Sequence, residues 1–513
     1  MSHNMLVNTR DLSIAYTGNT VIEGISFSVT AGELLAVIGA NGCGKSTLLN
    51  VLIAESRKDR DYLLRNDVIM SGHIDIAPGI VVAHLPQKLR KDDFQATTDE
   101  LSYEKVSLEA RLQESFDHTG GLSTGEHLSD GELQKAAVIR TLITDAELYL
   151  LDEPTNYLDI DGITAFEGYV ARLKASGKGL VLVTHDRTLT DNLADRTIFI
   201  TTNGIFHTVG GFQQAWSIKT SDFKSRRKKA GQIKRKISQL QQDRQRKAGW
   251  ADRKEKQKRG ARRAKAHIST LSKKLARRAQ IAGRKAEKEM ERLHQTRPFI
   301  PKNVSLRFPP YEVKRRRVFA LAEAGFRYES RHPNLLANVT LAATTSDKLC
   351  LMGANGAGKS TILKLITGRL EPTVGACYLN DKVRLRYLAQ GLEGFFSKER
   401  LLDNFATLGC DETTVRQYLG AALIRREKTK DPLGRFSQGE LMRAAIVHCL
   451  LDRAEFLLLD EPTSHLDIES VEVLERLLES YQGGFLVISH DRTFVENVSE
   501  SLYLLEGGRV RLV

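Results

Sequence analysis

A long sequence pattern occurs twice in this chain, in the same order and about 310 residues apart, and that duplication limits the possible folds more than any other feature. LLAVIGANGCGKSTLLNVL, beginning at Leu34, returns as LCLMGANGAGKSTILKLI from Leu349. LSDGELQKAAVIRTLITDAELYLLDEPTNYLD returns as FSQGELMRAAIVHCLLDRAEFLLLDEPTSHLD, and LVLVTHDRT returns as FLVISHDRT. A period of this size is a duplicated domain and not a solenoid. At 513 residues the chain is too long for one hydrophobic core and long enough for two or three domains. Short apolar runs at 34–38, 148–151 and 180–183 each lead into a glycine or polar turn and then a helical pattern. That alternation predicts an α/β core around a buried sheet.

The formal net charge of +13 is concentrated between the copies. Residues 221–300 hold 28 Lys and Arg against 7 Asp and Glu, so the remainder of the chain is net acidic. Apolar residues Phe223, Ala230, Ile233, Ile237 and Leu240 form a heptad stripe, and a second runs through Ile268, Leu271, Leu275, Ala282, Ala286 and Leu293. The expected organisation is a first domain over 1–217, a basic antiparallel helical hairpin over 218–300 and a second domain over 301–513. Each arm of the hairpin would have about 30 residues. Its tip is expected at Lys247, Trp250, Arg253, Lys254, Lys256, Lys258, Arg259, Arg262 and Arg263, where glycines interrupt the stripe. A fourfold excess of one sign suits a polyanionic partner, although a solvated coiled coil remains open. Lysine and arginine neutralise phosphates. Trp250 offers a face for a base or, equally, packs between the arms.

Gly39, Asn41, Gly42, Gly44, Lys45, Ser46 and Thr47 fit the phosphate-loop pattern, and Gly353, Asn355, Gly356, Gly358, Lys359, Ser360 and Thr361 fit it again. Each loop follows an apolar strand and opens a helix, so its backbone amides converge on phosphate. Lys45 and Lys359 bring positive charge to the β/γ-phosphates of ATP, and Ser46 and Ser360 offer a hydroxyl to Mg²⁺. An acid at the end of a buried strand is costly unless it faces a cation, so Asp152 and Asp460 suit Mg²⁺ through water. The adjacent Glu153 and Glu461 are placed to polarise the attacking water, and the alternative is a pair that only caps the next turn. His185 and His490 each end a strand and are candidate γ-phosphate contacts, where a single such histidine would be read as a core residue.

The full set resembles the ATP-binding-cassette superfamily, over both halves and more than 400 residues. Leu128-Ser129-Asp130-Gly131-Glu132 and Phe436-Ser437-Gln438-Gly439-Glu440 are similar to its signature, with three departures: a polar third residue, glutamate at the fifth, and Phe436 for leucine. The resemblance implies Q-loop roles toward Mg²⁺ for Gln87 and Gln390, adenine stacking for Tyr16 and Tyr328, and D-loops at 156–159 and 464–467. It further implies head-to-tail composite sites. One joins Lys45, Asp152, Glu153 and His185 with Ser437 and Gly439; the other joins Lys359, Asp460, Glu461 and His490 with Ser129 and Gly131. Both sites keep every expected group.

The basic linker makes the chain similar to the ABC-F family of tandem ATPases. That likeness implies a ribosomal partner: the exit site, large-subunit rRNA, and the tRNA in the peptidyl site near the peptidyl-transferase centre. The 42 residues from Gln87 to Ser129 leave no room for an arm inserted in the first cassette, and only 23 residues follow His490, which leaves no basic tail. Such a body is more similar to the antibiotic-resistance members than to general translation factors. A DNA-structure-binding ATPase is the competing class. No apolar run of about 18 residues and no leader-like N-terminus is present, and the five cysteines are scattered. A cytoplasmic monomer with paired cassettes and no transmembrane partner is expected.

Overall fold

The computed structural model describes residues 4–16, 19–59, 63, 67–87, 130–156, 158–201, 204–260, 313–328, 334–392, 394–424, 427–464 and 466–513. The chain divides into two compact units, Met1–Ala215 with Val304–Val513, and Trp216–Asn303. The first unit contains both copies of the repeat.

Each copy is built on a six-stranded sheet. In the first, the spatial order is Val82–Leu85, Leu148–Asp152, Gly179–Val183, Leu34–Gly39, Arg196–Thr201, Gly204–Val209; all are parallel except the last, which is antiparallel to its neighbour. The second repeats this with Leu385–Leu388, Phe456–Asp460, Gly484–Ile488, Lys348–Gly353, Ser501–Glu506 and Arg509–Leu512. The expected strands are present, three of them one residue longer than the apolar runs. They read as continuous apolar runs because both faces are covered. Leu34 and Ala36 pack with the helices Asp130–Ile143 and Ile160–Ala175. Leu35 and Val37 point the other way, onto the helix Lys45–Ser56 and a small antiparallel sheet of Asn19–Thr30, Met5–Tyr16 and Val68–Ile76. The second copy has the same layering, its small sheet made of Leu336–Thr344, Arg317–Phe326 and Val374–Leu379.

The parallel order places the phosphate loop after the fourth strand of the sheet, beside the third strand, which leads into the segment carrying His185, and two strands from the one that ends in Asp152. Glycine at the end of that strand is a packing requirement. A Cβ on Gly39 would lie 2.4 Å from the Ile200 carbonyl oxygen, and one on Gly353 2.5 Å from that of Leu505.

One helix runs from Phe212 to Gly260, most of it in the second unit, 49 residues and so about 75 Å at 1.5 Å per residue. The expected arm of about 30 residues is therefore too short. Lys247, Trp250, Arg253, Lys254, Lys256, Lys258 and Arg259, placed at a tip by the sequence, are helical. The reason is that an isolated glycine such as Gly249 costs only about 1 kcal/mol in a helix, which its Ala-, Lys-, Arg- and Gln-rich neighbours offset. Along the first stripe Ala230 and Ile237 are buried and Phe223 and Ile233 are half-buried. Arg262, Arg263 and the second stripe lie outside the described residues.

Phe456 is fully buried with its ring edge-on to Phe319 at 6.0 Å. Phe456→Ala should lower unfolding free energy by about 3–5 kcal/mol, measured by denaturant titration of the nucleotide-free protein.

Candidate ATP site

Each phosphate loop leads into a helix, Lys45–Ser56 or Lys359–Ile366, through a glycine in the left-handed region: Gly44 with φ 96° and Gly358 with φ 104°. These backbone turns aim successive amides at one point, which is where an anion binds. The lysine ammonium is held at that mouth by loop carbonyls. Lys45 Nζ donates to Gly39 O at 2.9 Å and Ala40 O at 3.1 Å; Lys359 Nζ donates to Gly353 O at 2.8 Å and Ala354 O at 2.9 Å.

The carboxylates stand opposite. Ser360 Oγ donates to Asp460 Oδ1 at 3.1 Å, and Tyr387 donates to Asp460 Oδ2 at 3.2 Å. In the first half Ser46 pairs with Asp152, whose Oδ1 is buried with no hydrogen-bond partner among the described residues. Oxygen donors of this kind suit Mg²⁺. Glu153 and Glu461 adopt positive φ, 50° and 48°, which is strained for a residue with a side chain. Their amides donate to Val183 O and Ile488 O on the neighbouring strand, and that pairing holds the turn. The side chains are thereby directed inward, each with one oxygen buried and making no hydrogen bond among the described residues.

Burial pushes both glutamates up to about 8, with Asp152 and Asp460 adding to the rise and Lys45 and Lys359 opposing it. The histidines move the other way. Burial, then the charge of Lys45, lowers His185 to about 3; burial and Lys359 lower His490 to about 4. A neutral imidazole therefore faces a carboxyl group: His185 Nε2 is 3.2 Å from Glu153 Oε1, and His490 Nε2 is 3.2 Å from Glu461 Oε1. Each site thus holds a proton-accepting group next to a neutral ring, beside a cationic loop.

The expected nucleotide residues of both halves line one cleft: Tyr16, Gln87, Asn41 through Thr47 except Cys43, Asp152, Glu153 and His185, and their counterparts Tyr328, Gln390, Asn355 through Thr361 except Ala357, Asp460, Glu461 and His490. Tyr16 and Tyr328 are 47% and 58% exposed, leaving a ring face for a base. Gly39 and Gly353 sit behind the cleft at strand ends.

The signature residues depart from the expected composite arrangement. Ser437 and Gly439 do not line the cleft; Ser437 caps the helix Gln438–Leu451 in a reciprocal box with Glu440. Gly131 lies in the helix Asp130–Ile143, and Ser129 is outside the described residues. The D-loops make the cross-half contact instead. The Asn41 amide donates to Asp467 Oδ2 at 2.9 Å, and the Asn355 amide donates to Asp159 Oδ2 at 3.0 Å. Burial raises the pKa of each of these aspartates, but their hydrogen bonds outweigh it and leave both below the usual carboxylate range. Sequence reasoning placed these aspartates in a D-loop without a partner, and it missed Tyr387 altogether.

A phosphate loop, a strand-end Asp-Glu pair and a strand-end histidine, on a parallel sheet and present twice, define a tandem P-loop ATPase. The family model described as ABC transporter matches residues 22–156 and 336–464, just over half the chain, and the chain belongs to that family. It hydrolyses ATP with Mg²⁺, which Ser46 with Asp152 and Ser360 with Asp460 would hold and which would neutralise phosphate charge. Its relatives include ATP-binding protein Uup of Escherichia coli (strain K12), 25% identical, covering 98% of this chain and 80% of that one. ATP-binding cassette sub-family F member 3 of Homo sapiens is 26% identical over 99% of this chain and 72% of its own. In fold, the chain is similar to archaeal ribosome recycling factor aABCE1, solved in complex with the ribosomal stalk protein aP1, with a TM-score of 0.59 and 20% identity over 98% and 89% of the two chains. Among the described residues no helix is long and apolar enough to cross a membrane.

The glutamates carry a stability signature. A carboxyl that titrates higher when folded than unfolded binds its proton more tightly in the native state. Stability is therefore lost as pH rises from 4.5 towards 8. Glu153→Gln and Glu461→Gln should raise the thermal midpoint of the nucleotide-free protein more at about pH 9 than at about pH 5. A gain that does not grow with pH would contradict the burial of a titrating carboxylate.

Proposed function

We propose that this chain is a ribosome-associated ABC-F ATPase in which ATP holds the two cassettes together and a basic linker contacts RNA. The observation that carries this reading is the helix Phe212–Gly260, with 17 Lys and Arg against 4 Asp and Glu. A transporter subunit has no use for such an element between its ATPase domains, whereas rRNA and tRNA phosphates do. The relatives support the same class: sub-family F member 3 in sequence, and a ribosome recycling factor in fold. In this reading Lys45 and Lys359 hold the β/γ-phosphates, and Ser46, Ser360, Asp152, Asp460, Gln87 and Gln390 serve the Mg²⁺ site. Glu153 and Glu461 polarise the attacking water, and His185 and His490 contact the γ-phosphate. The linker approaches large-subunit rRNA and peptidyl-site tRNA from the exit site.

The finer proposal is protection of ribosomes from antibiotics. It rests on the short span between Gln87 and Ser129, which leaves the first cassette without an inserted arm, combined with a long linker. A general translation factor is the second reading, favoured by the likeness in fold to a ribosome recycling factor.

With ATP present, the Glu153→Gln, Glu461→Gln double variant should retain nucleotide and co-sediment with ribosomes. Replacing Lys254, Lys256 and Lys258 by glutamate should weaken that association and reduce its salt slope by about 1 for each phosphate no longer neutralised. Co-sedimentation with branched DNA in place of ribosomes would refute the RNA reading. Raised resistance of expressing cells to ribosome-targeting drugs would select protection over a general role.

A further inference from the structure

Both histidines open the same string, His185-Asp186-Arg187-Thr188 and His490-Asp491-Arg492-Thr493, and the arginines have no part in the chemistry described so far. Arg187 is only 6% exposed. Its Nη2 lies 2.7 Å from Glu475 Oε1 and 3.5 Å from Asp491 Oδ2, and both carboxylates belong to the opposite cassette. Glu475 is fixed on its own side by Asn497 Nδ2 at 3.1 Å.

Glu475 stands eight residues after Asp467, on the helix Ile468–Glu479 that Asp467 caps. Asp467 accepts from the Asn41 amide, and Asn41 Oδ1 is 3.1 Å from His185 Nε2. One rigid helix therefore touches the opposite site twice, at points roughly 12 Å apart along its axis. The first point holds the phosphate loop beside the histidine. The second holds the arginine two residues beyond it.

The other half repeats the device. Glu167 stands eight residues after Asp159, on the helix Ile160–Ala175. It lies 3.3 Å from Arg492 Nη1, and Arg492 Nη2 donates to Thr164 Oγ1 at 3.0 Å. Asn192 Nδ2 steadies Glu167 at 3.3 Å. The hydroxyls of Thr188 and Thr493 meet at 3.1 Å.

We propose that Glu475 and Glu167 are positioning residues for the histidines of the opposite cassette. Each grips the arginine that follows the histidine and so fixes the strand-to-helix turn that carries the ring. Parting the cassettes returns the arginine to water and removes the carboxylate that held it, so the turn that carries the ring is free to move. The histidine is therefore set for the γ-phosphate only when the cassettes are closed. Hydrolysis at each site is gated by the other half and is withheld from open, singly loaded cassettes. The grip at the Lys45 site is the tighter one, because Arg187 meets two carboxylates and Arg492, 26% exposed in its side chain, meets one. This inference rests on His185 and His490 contacting the γ-phosphate and is independent of the ribosomal reading.

The test is steady-state ATPase activity of the full chain without ribosomes. Glutamine keeps the shape of both glutamates but removes a charge from a buried pair, so the Glu167→Gln, Glu475→Gln variant should fold with a lower thermal midpoint, and activity is compared at a temperature where both proteins are folded. Its kcat should fall about tenfold or more, with KM for ATP within about twofold, because the ring is misplaced and nucleotide binding is spared. In a cycle with His185→Ala and His490→Ala, the glutamine changes should cost nothing further once the rings are gone. Glu475→Gln alone should cost more than Glu167→Gln alone. Additive losses, or a kcat unmoved by the glutamine pair, would overturn the gating role while leaving the histidine assignment standing. An inert histidine pair would overturn both.

Discussion

Two amide-to-carboxylate hydrogen bonds, from the Asn41 amide to Asp467 and from the Asn355 amide to Asp159, join each phosphate loop to the opposite half. An amide that would otherwise contribute to a purely local anion nest is thereby tied to a side chain more than 190 residues away. The donors sit in loops that must converge on phosphate, and the acceptors are also helix caps, so neither partner can shift alone. The nucleotide site and the cassette interface are therefore one structure. A change in loop occupancy is felt by the opposite cassette through a helix, which transmits displacement with little bending.

The electrostatics of the site follow from how little water reaches it. Glutamates pushed up to about 8 and histidines pulled down to about 3 and 4 share a cause, the penalty for charge in a low-dielectric pocket. Lys45 and Lys359 keep their place because loop carbonyls solvate the ammonium in lieu of water. Strain accompanies the chemistry, since Glu153 and Glu461 hold positive φ against their side-chain sterics. Sheet pairing with Val183 and Ile488 stabilises what the local backbone disfavours. The two sites are not identical: Tyr387 donates to Asp460, whereas the equivalent strand position in the first half is His84, whose Nε2 is buried without a hydrogen-bond partner among the described residues. That difference gives the metal-side carboxylates unequal surroundings under the same sequence motif.

Much of the fold and the site is legible in the chain itself. The strands are readable because a parallel sheet covered on both faces demands unbroken apolar runs, and Leu34–Gly39 and Phe456–Asp460 are such runs. The loops, acids and histidines are readable because their chemistry fixes residue type and spacing within a few positions. The helix from Phe212 is legible as a helix but not in its extent, because a single glycine weakens helical continuity without ending it.

The sequence by itself determined a duplicated α/β ATPase, its phosphate loops, its strand-end carboxylates and histidines, and a cationic segment between the halves. Each of these is a short-range property of composition and period. Only the tertiary structure decided that Asp467 meets Asn41, that Arg187 meets Glu475, and that Ser437 caps its own helix in a reciprocal box with Glu440. The first two pairings join residues hundreds of positions apart. Their selection depends on how two separately folded sheets dock, and no local spacing in the chain encodes that docking.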